Sequence, residues 1–218
     1  MTNYILNSIS VGPLSKSKPR QAIVLCHGYG GDGKDISMLA MNWQRFLPDT
    51  IFLCPNAPET CVDNPQGYQW FDMTSGNEEA MFEKSLIAEK KLNIFLDQVT
   101  SNFQIESSKL ALVGFSQGCM ISIQAGLKRK EQINCIIGYS GKVINQKNLI
   151  ENINSKPKIF LMHGANDTIV SPTYLLEAKE YLNKCGLKIK TKLFNKCEHS
   201  IPVEGISLGL AFLKKNLL

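Results

Sequence analysis

Leu110-Ala111-Leu112-Val113-Gly114-Phe115-Ser116-Gln117-Gly118-Cys119-Met120 is the stretch of sequence that decides the fold. Its first four residues are apolar and do not alternate, the pattern of a strand covered on both faces. A helical pattern over Gln117–Lys128 follows at once. Between them lies G-x-S-x-G. The glycines permit a sharp turn that side chains would block, and the turn pushes the serine hydroxyl clear of the backbone. The helix N-terminus beneath adds N–H groups and partial positive charge near a developing anion. A bare G-x-S-x-G also arises by chance, with Ser116 then a plain helix cap. The strand–turn–helix setting favours a nucleophile.

Outward from this stretch, short apolar runs recur at Ala22–Cys26, Ile51–Cys54, Cys135–Tyr139 and Ile159–Met162. Helical patterns lie between them: Asp35–Phe46, Glu78–Phe103, Tyr174–Cys185 and Gly205–Asn216. Residues 188–193 alternate lysine or threonine with apolar residues, as does a strand that has one wet face or lies near an edge. Strands alternating with helices predict an α/β fold, a mostly parallel central sheet with helices on both faces. No linker or composition break divides residues 1–218, so one domain is expected. In such sheets ligands bind beyond the carboxyl ends of the strands, and the residues there are the ones to read.

Composition narrows the function. With 44% apolar and 20% charged residues, the chain is an ordinary globular sequence. The net charge of +5 is modest, and only Arg20, Arg45 and Arg129 supply guanidinium groups. Lysine is poor at bidentate phosphate recognition, so no nucleic-acid partner is expected. No apolar run approaches the length of a membrane span, which leaves at most transient membrane contact. The start, MTNYILNSISVG, lacks the features of an export signal. Seven cysteines, an odd number without C-x-x-C spacing, fit a reducing cytoplasm and argue against a zinc ribbon or redox dithiol.

A serine nucleophile needs a base, and the chain has three histidines: His27, His163 and His199. His199 lies between the last strand and the last helix. An acid is expected between serine and histidine in chain order, and Asp167 stands just past a strand end. The order Ser116, Asp167, His199 is that of an α/β-hydrolase, with each member on its own strand-end loop. The reading assigns Ser116 as nucleophile, His199 as base and Asp167 as the group that orients it. His163 is the rival base, four residues before Asp167, and is expected to pack or hydrogen-bond at its strand end. The oxyanion donors should be the backbone amides of Gln117, next after the nucleophile, and Tyr29, in the glycine-rich loop His27–Gly31. The Tyr29 ring either walls the acyl pocket or lies on the surface.

The same glycine-rich loop carries a competing reading. Gly28, Gly30 and Gly33 spell G-x-G-x-x-G, and residues 28–34 nearly spell a P-loop. Asp35 stands where a P-loop needs Ser or Thr, and the next strand ends in Pro55-Asn56 without an acid for a ribose. A nucleotide module is therefore the weaker alternative. A non-catalytic binding protein on the hydrolase fold would need a broken triad.

Leu25-Cys26-His27-Gly28-Tyr29-Gly30, Cys54-Pro55-Asn56-Ala57-Pro58, Trp70-Phe71-Asp72, Gly114–Gly118, His163-Gly164-Ala165-Asn166-Asp167 and His199 together resemble the small carboxylesterase/phospholipase family. That family includes acyl-protein thioesterases and bacterial carboxylesterases. The match runs along nearly the whole chain. It implies a carboxylic ester or thioester hydrolase that works through an acyl-serine without a cofactor or metal. Small acyl esters, lysophospholipids or acylated proteins would be its substrates. It also implies an intracellular homodimer, the triad Ser116, Asp167 and His199, and oxyanion donors Tyr29 and Gln117. Members commonly carry glycine before the histidine, and this chain has Glu198. A carboxylate there either raises the His199 pKa or narrows the entrance, unless it points to solvent. Cys119 is expected to be buried packing. Residues 61–77 lack periodicity and are expected to overhang the site, with Trp70 and Phe71 either lining the acyl pocket or packing as core.

Overall fold

The structure, a computed structural model, describes residues 4–74 and 76–218. Seven strands form one sheet: β1 (Ser8–Val11), β2 (Gln21–Cys26), β3 (Thr50–Pro55), β6 (Leu110–Phe115), β7 (Cys135–Tyr139), β8 (Lys158–Gly164) and β9 (Ile189–Phe194). Their spatial order is β1-β3-β2-β6-β7-β8-β9. Every neighbouring pair is parallel except β1 with β3, so the sheet is parallel with one antiparallel edge. A separate two-stranded hairpin, β4 (Glu59–Thr60) with β5 (Tyr68–Gln69), stands over the carboxyl ends.

The apolar runs do not alternate because both faces are covered. Ala22 and Val24 face α2 (Glu78–Phe103), α3 (Gln117–Lys128) and α5 (Thr173–Lys184). Their neighbours Ile23 and Leu25 face α1 (Gly33–Trp43) and α6 (Val203–Leu217). Leu110 and Leu112 divide from Ala111 and Val113 in the same way. A strand with apolar cover on both sides has no position left for a polar residue. The α/β class expected from the sequence is thus the observed architecture.

Most predicted boundaries move by two residues or fewer. The helices at Glu78–Phe103 and Gln117–Lys128 fall where the periodicity puts them. Asn77 caps α2 by accepting from the Glu79 and Ala80 amides at 3.0 and 3.3 Å. Gln104 ends it in the left-handed region, at φ 53°. The pattern over 35–46 divides into α1 and a 3-10 turn at Gln44–Phe46. β9 lies at the sheet edge, where its alternation predicts it. Four short elements escape the pattern reading. β1 is a short edge strand with no fully buried residue. α4 (Gln146–Glu151) is too short to show a period. Of the two-residue strands, β5 falls in the segment expected to be a loop and β4 just before it.

Candidate active site

Ser116 sits at the switch from β6 to α3 with φ 52° and ψ −118°, a conformation that L residues rarely adopt. Close backbone packing holds it there. A Cβ on Gly118 would stand 2.1 Å from the Cys26 carbonyl oxygen, and one on Gly114 would stand 2.2 Å from that of Gly118. These two glycines are what let the elbow press against the end of β2. The Ser116 amide donates to Tyr139 O at 2.8 Å, fixing the turn to β7 as well.

The loops after β8 and β9 meet beside this turn. Ala165 and Asn166 donate their amides to Phe194 O and Cys197 O, each at 2.9 Å. These bonds bring His199 to Asp167. The His199 Nδ1–H donates to Asp167 Oδ2 at 2.7 Å. That tautomer leaves Nε2 to accept the Ser116 hydroxyl at 3.0 Å. The structure therefore brings Ser116, His199 and Asp167 into one hydrogen-bonded chain. Asp167 Oδ1 accepts from the Ile169 and Val170 amides at 3.0 and 2.9 Å. Burial works against the carboxylate charge, but these amides and His199 outweigh it and hold the Asp167 pKa below the usual carboxylate value.

His163 reaches the same carboxylate from the other side. Its Nε2–H donates to Val170 O at 2.9 Å, and the same nitrogen lies 3.2 Å from Asp167 Oδ2. The ring is buried, and burial lowers its pKa. His27 is equally enclosed. Its Nδ1–H donates to Gly28 O at 2.7 Å, and its Nε2 accepts from the Ala57 amide at 3.0 Å. Both partners suit the neutral ring, and burial again lowers the pKa.

Gln117 is the first residue of α3, so its amide has no partner inside the helix. The Tyr29 loop lies against the elbow, where a Cβ on Gly28 would come within 3.3 Å of the Ser116 Cβ. The Tyr29 hydroxyl donates to Asp63 Oδ2 at 2.9 Å, so the ring ties its loop to the β4–β5 hairpin and does not line the large cavity. The dinucleotide-like glycines also have a local use. A Cβ on Gly33 would stand 2.1 Å from Cys54 O, and its amide donates to Asn56 Oδ1. Asp32 and Asp35 form a reciprocal capping box at the start of α1. Carboxylates fill the place where a phosphate would bind, so the geometry speaks against the nucleotide alternative.

A cavity of about 590 Å³ opens beside the serine. Phe71, Met81, Met120, Val143, Ile144 and Tyr174 give it apolar walls, and Glu78, Lys142 and Lys147 are among its polar residues. Ser116 and His199 do not line it. Met120 lies one helical turn past Ser116, and Lys142 follows a glycine whose Cβ would stand 3.1 Å from Ser116 O. Of the two aromatic residues singled out in the sequence, Phe71 borders this cavity. Trp70 is fully buried, with its indole N–H donating to His27 O at 3.0 Å. Cys119 is buried as expected. Its sulfur fills the space above Gly138 and Gly141, and burial pushes its pKa up to about 12. Glu198 is exposed, and among the described residues no ion pair joins it to His199. The reading of single residues missed α4 and the loop before it, which supply one wall of the cavity. It also missed the buried Gln117 side chain, which accepts from Trp70 N at 2.8 Å and donates to Phe71 O at 2.7 Å.

Among the described residues no helix is long and apolar enough to cross a membrane, and no cluster could hold a metal ion. The sequence model of the family described as phospholipase/carboxylesterase matches residues 11–217. The chain is 28% identical to acyl-protein thioesterase 1 of Emericella nidulans over 189 residues, covering 78% of this chain and 79% of the relative. It is also 28% identical to acyl-protein thioesterase 1 of Schizosaccharomyces pombe over 209 residues, covering 91% of each. The crystal structure of esterase PE8 superposes with a TM-score of 0.93 at 32% identity, over 97% of this chain and 99% of that one.

Proposed function

The chain belongs to the phospholipase/carboxylesterase family, and on that premise we propose that it hydrolyses carboxylic esters or thioesters through an acyl-Ser116 intermediate. One observation carries the reading: the 3.0 Å and 2.7 Å contacts that link Ser116 Oγ through His199 to Asp167. Ser116 Oγ attacks the acyl carbonyl carbon while its proton passes to His199 Nε2. Asp167, held ionised by its donors, keeps the Nδ1 proton in place and stabilises the imidazolium. The carbonyl oxygen gains negative charge and is met by the Tyr29 and Gln117 amides. The imidazolium then protonates the departing oxygen or sulfur. Water repeats the sequence and frees Ser116.

The acyl chain lies in the cavity bordered by Phe71 and Met120. Its volume supports this, falling within the roughly 300–1,000 Å³ typical of ligand pockets. Acylated proteins and lysophospholipids are the substrates the family resemblance favours. Seven free thiols support a reducing cytoplasm. The sheet that gathers strands from Ser8 to Phe194 supports one domain. Homodimerisation and transient membrane contact are carried by the resemblance alone.

A fluorophosphonate probe should label wild-type protein at Ser116. Ser116→Ala should cut kcat on a chromogenic short-chain ester by about 10⁴- to 10⁶-fold in a protein with unchanged circular dichroism. Retained activity in that variant, or labelling at Cys119, overturns the mechanism.

A further inference from the structure

The two amides assigned to the oxyanion come from separate parts of the chain, the loop after β2 and the start of α3. Their spacing must be set by something that touches both. One segment does so, Tyr68–Phe71. On one side the Gly30 amide donates to Tyr68 O at 2.9 Å, and the Tyr68 amide donates to Gly31 O at 2.8 Å. The Trp70 indole adds its bond to His27 O at 3.0 Å. On the other side the Gln117 carboxamide grips the same segment twice, accepting from Trp70 N at 2.8 Å and donating to Phe71 O at 2.7 Å. A carboxamide can satisfy an amide N–H and a carbonyl together, and an apolar side chain of equal length can satisfy neither. Gln117 is fully buried, so water does not compete for these bonds.

We propose that the Gln117 side chain is a positioning residue: through Tyr68–Phe71 it fixes the Tyr29 amide relative to its own amide, and so sets the width of the oxyanion site. The role rests on the reading of Ser116 as the nucleophile of an ester hydrolase. The side chain itself touches no reacting atom. It acts on the transition state because the developing oxyanion needs both donors at hydrogen-bond distance, while the ground-state ester needs them less.

Gln117→Met keeps the length and the backbone amide and removes both grips. On a short-chain p-nitrophenyl ester, kcat should fall about 10- to 100-fold, as for a small misplacement of catalytic donors. KM should stay within about twofold, because the Gln117 side chain itself does not line the acyl cavity. A trifluoromethyl ketone adds Ser116 to its carbonyl and forms a tetrahedral oxyanion. Its inhibition constant should rise by the factor lost in kcat/KM. An unchanged kcat, or a higher KM with ketone binding as in the wild type, overturns the role. Should Gln117→Met fail to fold, Trp70→Phe tests the same segment: it keeps an aromatic ring and deletes the bond to His27 O. A folded Trp70→Phe should lose about 3- to 10-fold in kcat with parallel weakening of the ketone, and wild-type values for both overturn the role. A wild-type protein that neither binds the ketone nor hydrolyses the ester overturns the hydrolase reading itself, which separates the two failures.

Discussion

The end of β8 and the loop after β9 each send a histidine to the same oxygen, Asp167 Oδ2, His163 from 3.2 Å and His199 from 2.7 Å. The rings differ in what their second nitrogens and surroundings allow. His199 keeps one nitrogen for Ser116 and is half-buried at the site, its ring tilted against that of Phe115 with 4.9 Å between centroids. His163 spends its Nε2–H on Val170 O, beside Asp167, and lies inside the core, 2% exposed. The same residue type therefore faces a serine hydroxyl in one place and a backbone carbonyl in the other. The difference lies in which nitrogen faces an acceptor of protons and which ring can tolerate a charge.

The largest test of that contrast removes each ring in turn. His199→Ala should lose about 10⁴- to 10⁶-fold in kcat, and adding Ser116→Ala should cost little more, because the members act as a unit. His163→Asn, which leaves a polar side chain at the same buried position, should lose at most about tenfold, by loosening Asp167. Steady-state kinetics on folded variants decide it. A greater kcat loss in His163→Asn than in His199→Ala would reverse the assignment.

A smaller effect should appear in stability. Burial lowers the pKa of both His27 and His163, so the unfolded chain binds protons that the fold refuses. Stability then declines as pH falls through the ordinary histidine value of about 6.5. Asp167 has a lowered carboxylate pKa, so its contribution is present above the usual carboxylate range and is lost only in stronger acid. The unfolding temperature should drop between about pH 7.5 and 5.5, and the slope should be shallower in His163→Asn. A flat profile across that window in the wild type contradicts two histidines held neutral.

The smallest expected effect belongs to Glu198. Its carboxylate is exposed and unpaired with His199 among the described residues, so water and salt screen it. Glu198→Gly should leave the acidic limb of the kcat/KM profile within about 0.3 pH unit at low ionic strength. A larger move to lower pH would show that the two side chains approach each other in solution, and that His199 is less insulated than its pairing suggests.

Much of this site could be read from the sequence because strand ends are legible. Ser116 and Asp167 each follow an apolar run and His199 an alternating one, and a parallel sheet gathers such ends on one edge. What the sequence did not show is which side chains share a partner. Chain order ranks His199 above His163 as base, but that both approach one oxygen of Asp167 emerges only when the loop after β9 docks beside the end of β8. Trp70 and Phe71 are adjacent aromatics, yet one is sealed against His27 O and the other borders the cavity. Neighbours in a segment without periodicity carry no signal of which way each faces. β1 and α4 were missed for a related reason: four or six residues are too few for a period to emerge.

The backbone at Ser116 has a further consequence, for how stability and activity trade against each other. A non-glycine residue held at φ 52° and ψ −118° stores strain on the order of 1–3 kcal/mol. The net stability of a whole domain is about 5–15 kcal/mol. The seat of one hydroxyl thus offsets a sizeable fraction of what keeps the chain folded. Glycine at this position would relieve that strain and remove the attacking oxygen in the same stroke. For this chain the sturdiest sequence and the reactive one are different sequences, and they part at a single residue.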